Sequence, residues 1–301
     1  MSQASWQERA QAWLAEALLR LSTPLPDHLR SRLGRGLGHL VRLALPRPRR
    51  IAARNLELCF PELKPNERRT LLREHFCQLG EAALELGPVW RASRERFEQL
   101  FVQIEGLEHV ERAKAQGQGL ILLSAHFGSW EGGALYMSLL TRLTALYMPT
   151  HNPAFSALMV AGRSRFGATM TEKRRGFRPL IAALRRGEAV GILADQNVNE
   201  REGVYAPFFG MPASTTVAVA HLAKRTGAPV IYVFGYRLPK GAGFRLVFRP
   251  LPADYPSGND ETDAAIMNAM LEAAIREAPA QYWWVHRRFK TRPQGMPDPY
   301  A

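Results

Sequence analysis

From Phe101 onward the chain alternates short apolar runs with stretches of helical spacing, and nothing else in the sequence constrains its fold as tightly. Residues 119–125 (GLILLSA), 143–148, 189–194 (AVGILA), 228–236 (APVIYVFGY) and 244–248 read as strands, with a further short strand at 282–285. Short apolar runs without polar alternation suit strands that are covered on both faces. Between and beyond them, 177–186, 215–226 and 260–277 carry apolar residues at helical intervals. The pattern predicts an α/β protein with a central mixed, largely parallel sheet flanked by helices.

Residues 1–54 are built differently. They hold ten arginines, no lysine and three acids (Glu8, Glu16 and Asp27). Trp6, Trp13, Leu14, Ala17, Leu18 and Leu21 recur at roughly helical spacing until Pro24 and Pro26 break the pattern. A second helix is expected over 28–45, where Arg30, Arg32, Arg35 and Arg42 are interleaved with Leu29, Leu33, Leu37, Leu40, Val41 and Leu43. A basic amphipathic helix suits an anionic membrane surface, its apolar stripe in the acyl boundary and its arginines on lipid phosphates. A helix packed on its own domain, with a solvated basic face, would carry the same pattern. Gly34, Gly36 and Gly38 weaken the helix and favour close approach to a neighbour. The chain thus divides into a helical, membrane-associating N-terminal region, 1–54, and a single α/β domain, 55–301, whose first part (55–100) is helical. Its longest charge-free runs, 143–162 and 203–223, each contain two prolines and do not read as bilayer-spanning helices.

The formal charge of +13 favours an anionic partner: a bilayer, a phosphorylated substrate, an acidic carrier or nucleic acid. Nucleic acid is the remote alternative, because aliphatic residues separate the N-terminal arginines and no known nucleic-acid module is present. Two cysteines, Cys59 and Cys77, without CxxC or histidine spacing, argue against a disulfide scaffold and against a metal site. GxSxG, GxxxxGK[ST], GxGxxG and HExxH are all missing, which removes the usual support for a serine nucleophile, nucleotide hydrolysis, a dinucleotide cofactor or a zinc protease.

The first buried strand ends in Ser124-Ala125-His126-Phe127-Gly128-Ser129-Trp130-Glu131. Ser129 is a plausible N-cap and Glu131 lies in the first turn of the next helix, so His126 falls in a tight strand-to-helix turn at the edge where parallel sheets bind ligands. If Glu131 reaches back, one carboxylate holds one imidazole nitrogen and the other nitrogen is free to take a proton. Backbone N–H groups near Gly128 would face a developing oxyanion. An isolated H-x4-E is more often a structural histidine followed by a charge that complements the helix dipole. A second carboxylate, Asp195, followed by Gln196, ends strand 189–194 and would reach the same sheet edge if both strands are parallel.

The H-x4-E placed after an apolar strand resembles the H-x4-D/E motif of the lysophospholipid acyltransferase superfamily. Its surroundings, SAHFGSWEGG, resemble the bacterial lipid A (late) acyltransferase branch. Further blocks agree in order: NLELCFPE at 55–62, YMPTHNP at 147–153 followed by Arg163 and Gly167, ALRRGEAVGILADQ at 183–196, VYAPFFGMPASTT at 204–216 and QYWWVHRRFKTRP at 281–293. The resemblance implies transfer of a fatty acyl group from acyl-acyl carrier protein (or acyl-CoA) to a hydroxyl of a lipid A precursor, or of another glycolipid or aminolipid. It implies His126 as base with Glu131 as its partner, Arg163, Asp195, Gln196 and Gly128 as substrate-binding residues, and no metal or other cofactor. Arg174, Arg175, Arg287 and Arg288 are further candidates for acceptor phosphates or the carrier. The expected place of work is the cytoplasmic face of the inner membrane of a Gram-negative bacterium. The N-terminal segment is more charged than the family's spanning anchors, which favours peripheral attachment.

Overall fold

The structure is a computed structural model that describes residues 5–301; the first four residues of the expected N-terminal region lie outside it. Four helices open the chain: α1 (Trp6–Ser22), α2 (Asp27–Ala44), α3 (Pro46–Cys59) and α4 (Pro65–Arg91). Helix α3 runs unbroken through residues 54 and 55, with Pro46 at its first position, where a missing N–H costs nothing. Then follow α5 (Arg94–Glu98), β1 (Phe101–Glu105), α6 (Leu107–Ala115), β2 (Leu120–Ser124), α7 (Trp130–Leu140), β3 (Leu143–Tyr147), α8 (Pro153–Ser164) and β4 (Thr169–Glu172). The remainder is α9 (Arg178–Arg185), β5 (Ala189–Leu193), β6 (Gly203–Phe208), β7 (Met211–Thr216), α10 (Ala218–Thr226), β8 (Val230–Arg237), β9 (Phe244–Pro250) and α11 (Asp260–Glu277).

Seven strands form one sheet in the order β1-β9-β8-β2-β5-β3-β4. The five from β8 to β4 are parallel; β9 pairs antiparallel with β8, and β1 runs with β9. The expected mixed, largely parallel sheet is therefore present. Strand β2 shows why its sequence is continuously apolar. Ile121 and Leu123 enter a core shared with α9, α10 and α11, while Leu120 and Leu122 enter the opposite core with α6, α7 and α8. Residues 282–285 are not a strand; only Tyr282 forms a bridge, with Phe127. The helix expected from 215 begins at Ala218, because Met211–Thr216 instead pairs with Gly203–Phe208 in a separate two-stranded hairpin.

Helices α1 and α2 both pack on α4. Gly38 and Gly80 meet there: a Cβ on Gly38 would lie 1.9 Å from the Phe76 carbonyl oxygen, and one on Gly80 2.0 Å from that of Gly34. The glycines of α2 thus bring two backbones together, as their spacing suggested, except Gly36, which faces open space. The outer faces stay apolar and exposed: Trp6, Trp13, Leu14 and Leu21 on α1, and Leu29, Leu33, Leu40 and Leu43 on α2. Among the described residues, no helix is long and apolar enough to cross a membrane.

Candidate active site

Strands β2 and β5 are neighbours in register, Ser124 opposite Leu193, so the residues that follow them emerge side by side. His126 and Asp195 meet at this edge. The Asp195 carboxylate accepts from the ring Nδ1–H at 2.9 Å and from the His126 backbone N–H at 3.1 Å. A carboxylate only accepts, so the Nδ1 contact fixes the tautomer and leaves Nε2 as an acceptor. The Asp195 side chain is 3% exposed and that of His126 24%, so one end of the pair is sealed and the other opens to solvent.

Burial disfavours the His126 imidazolium, but the charge and hydrogen bond of Asp195, with a smaller contribution from Glu131, hold its pKa above the ordinary value. Burial alone would raise the Asp195 carboxyl; the His126 charge and the two hydrogen bonds it receives hold it below the usual range. On the Nε2 side sits Gln196, its Nε2 3.4 Å from His126 Nε2. Trp130 and Trp283 flank the imidazole, with ring centroids 5.6 and 6.4 Å away, and pack edge-on against each other.

Glu131 does not reach back to His126. The Arg163 guanidinium takes it: Nε lies 2.9 and 3.1 Å from the two carboxylate oxygens, and Nη2 donates as well. The pair ties the first turn of α7 to the last turn of α8. Arg163 keeps 27% of its side chain exposed, against 7% for Glu131.

The turn between them is closed by its own backbone. Gly128 has φ +54° and its N–H donates to the Gln281 carbonyl at 3.0 Å; the Ser129 N–H donates to the Gly235 carbonyl at 2.6 Å. The two amides nearest the expected oxyanion position are therefore bonded within the fold. Ser129 is the N-cap residue of α7, yet its hydroxyl makes no capping bond and is buried without a partner. The Gly128 carbonyl accepts from Arg237, which is also held by Glu85 and Gln78 of α4. The Gln281 amide bonds both the N–H and the carbonyl of Arg237.

Of the other arginines, Arg174 is exposed beside Glu172 and Arg175 is exposed. Arg287 stacks near Tyr300. Arg288 is 2% exposed and donates to Ser214, Thr215 and Asn268, so it braces β7 and α11 and does not face a phosphate. Among the described residues, no group of three or more His, Cys, Asp or Glu side chains is placed to hold a metal ion.

Trp130, Trp283, Arg237 and Gln281 carried no individual sequence signal. Gln281 and Trp283 lie in the block 281–293, one of the stretches that carry the family resemblance, which was the only pointer to them.

The sequence model described as bacterial lipid A biosynthesis acyltransferase matches residues 3–291. The chain is 36% identical over 289 residues to a lipid A biosynthesis lauroyltransferase of Escherichia coli (strain K12), covering 96% of this chain and 94% of the relative. It is 35% identical, with the same coverage, to the palmitoleoyltransferase of that organism. To the myristoyltransferase it is 30% identical, covering 96% of this chain and 90% of the relative. With a sheet edge that presents His126 beside Asp195, and near-complete coverage of such relatives, the chain belongs to the bacterial lipid A biosynthesis acyltransferase family and is an O-acyltransferase.

Proposed function

We propose that the enzyme moves a fatty acyl group from acyl-acyl carrier protein, or acyl-CoA, to a hydroxyl of a lipid A precursor, with His126 as general base and Asp195 as its orienting carboxylate. The observation that carries this reading is the His126 ring, bonded at Nδ1 to a buried carboxylate, with a long 3.4 Å contact from the Gln196 amide at Nε2 on its exposed side.

Nε2 takes the proton of the acceptor hydroxyl while its oxygen attacks the thioester carbonyl carbon. The tetrahedral intermediate then collapses: the C–S bond breaks, the ester remains on the lipid, and the imidazolium returns its proton to the departing thiolate. Asp195 holds the tautomer and offsets the imidazolium charge, contributing to a general-base effect of about 10²–10⁴-fold. Because the Gly128 and Ser129 amides are already bonded, the oxyanion is held by the Gln196 amide and by the first turn of α7. Arg163 meets an acceptor phosphate with the part of its guanidinium that the Glu131 pair leaves exposed. No metal ion or prosthetic group enters the reaction; the acyl donor is a co-substrate.

The enzyme works on an anionic membrane surface, at the cytoplasmic face of the inner membrane of a Gram-negative bacterium. Trp13 is 68% and Leu14 61% exposed on α1, with Arg9 and Arg20 also exposed on that helix, which matches the demands of a lipid interface. Asn152, the N-cap of α8, donates to the Glu8 carbonyl at 2.8 Å, so the start of α1 is fixed at the sheet edge that carries His126. A lipid acceptor would then reach the base from the surface in which α1 lies. Replacing both Trp13 and Leu14 by Asp weakens binding to anionic phospholipid vesicles about 10²-fold or more, since each fully buried large apolar side chain contributes about 1.5–3 kcal/mol. Vesicle co-sedimentation measures this, with circular dichroism to confirm the fold; unchanged binding would place the membrane contact elsewhere.

The decisive test is transfer of labelled acyl groups from acyl carrier protein to lipid A precursor by wild type and by His126→Ala. Label on the lipid from wild type and none from the variant is the expected result. Equal transfer by the two would remove His126 from the chemistry; transfer only to another glycolipid or to an aminolipid would change the acceptor and keep the base.

A further inference from the structure

After α11 the chain crosses the catalytic edge as an irregular segment. The Trp283 N–H donates to the His126 carbonyl at 3.0 Å. Three residues later the His286 Nε2 accepts the backbone N–H of Asn197 at 3.0 Å. The Asn197 side chain closes a second link to this segment, accepting the Thr291 N–H and donating to its hydroxyl, each at 2.9 Å. The segment is itself held from the far side. The Asn55 amide of α3 donates to the carbonyls of Trp284 and His286 at 2.6 and 2.8 Å.

We propose that His286 is a positioning residue for acyl transfer: its imidazole fixes the Asp195–Gln196–Asn197 turn, so that the Asp195 carboxylate stays on His126 Nδ1 and the Gln196 amide stays beside Nε2. This rests on the reading of His126 as the base. Strand β5 ends at Leu193, so the Asn197 N–H has no ladder partner and needs another acceptor. An imidazole nitrogen serves only while unprotonated, with the ring proton on Nδ1. Burial pushes the His286 pKa down to about 4, which keeps it an acceptor throughout the neutral range. The fixed amide lies two positions after the carboxylate, with only Gln196 between them, and the carboxylate makes two bonds to His126. A shift of the turn therefore moves the orienting group itself.

The test compares wild type, His286→Gln and His286→Asn as full chains, with labelled acyl-acyl carrier protein and lipid A precursor. Glutamine places a polar atom near the position of the imidazole Nε2; asparagine places it near Nδ1, one bond short of Asn197. Expected for His286→Asn is a fall in kcat of about 10–10²-fold at nearly unchanged KM, since misplacing a reacting group by about 1 Å can cost 10²-fold. The acid limb of its pH–rate profile shifts to lower pH, because His126 loses the carboxylate that raises its pKa. His286→Gln restores most of the rate and returns the limb. Equal loss in both variants with an unmoved acid limb reduces His286 to a structural role, and an unimpaired His286→Asn removes it altogether. Should the asparagine variant fail to fold, ring titration of His126 by NMR in His286→Ala and His286→Gln decides. A pKa that falls in the alanine variant and stays raised in the glutamine variant supports the assignment, and one unchanged in both overturns it. A wild type that transfers nothing would reject the acyl-transfer reading instead.

Discussion

Asp195→Asn lowers kcat about 10²–10⁴-fold and moves the acid limb of the pH–rate profile to lower pH. The direction follows from which form of His126 works. A general base, the role proposed for His126, must be neutral, and the fold holds the His126 pKa above the ordinary value, so the rate is expected to fall as pH drops through that raised value. An amide at 195 can still accept from Nδ1–H but carries no charge to offset the imidazolium. Burial then dominates, the His126 pKa falls, and the ring stays neutral to lower pH while being a weaker base. The carboxyl of Asp195 is itself held below the usual range, so it remains ionised across the whole profile and adds no limb at neutral pH. Steady-state transfer between about pH 5 and 9 checks both effects. A variant that keeps a rate within about three-fold of wild type and an unmoved limb would assign the orienting role to another group.

Gly128→Ala removes activity almost completely and destabilises the fold. The residue sits at φ +54°, where an L side chain costs roughly 1–2 kcal/mol. The Cβ would also lie 1.9 Å from the Gly235 carbonyl oxygen, a backbone atom of the central strand β8 that cannot swing aside as a side chain could. Overpacking of this kind adds about 1–3 kcal/mol. Relief requires the 126–129 turn to lift from β8, which breaks the Ser129 N–H bond to Gly235 and displaces the imidazole two residues away. Expected are a loss of about 2–5 kcal/mol in urea unfolding and at least about 10²-fold in rate. A stable, active alanine variant would mean that the turn tolerates another path.

The core of the fold was legible because its strands are buried on both faces. GLILLSA and AVGILA are almost uniformly apolar, and the structure places them as adjacent parallel strands, exposed only at Leu193, the last residue of β5. Edge strands were harder. FVQIE is exposed at four of its five positions, and TMTE is short and polar, so neither carries an apolar run. The β6–β7 hairpin was hidden by Pro207 and Pro212, which face each other across a pair whose outer edges have no ladder partner to lose. At the site, His126 and Asp195 could be read from strand ends, since parallel register alone brings them together. The partner of Glu131 could not. Five residues of local spacing suggested His126, whereas Arg163 arrives from a different helix 32 residues on. His286 is 89 residues from the Asn197 amide it holds, and only the path of the chain's last segment joins them.

That last segment also sets the order in which a working enzyme comes into being. Synthesis runs from the N-terminal side, so the segments of β2 and β5, with His126 and Asp195, leave the ribosome before residues 281–291 do. Until then the N–H of Gly128, the carbonyl of His126 and the N–H of Asn197 have none of the partners shown here. The proposed base is thus aligned only once residues 281–291 dock on the sheet edge, and a chain truncated before them would carry His126 and Asp195 without the brace that aligns them.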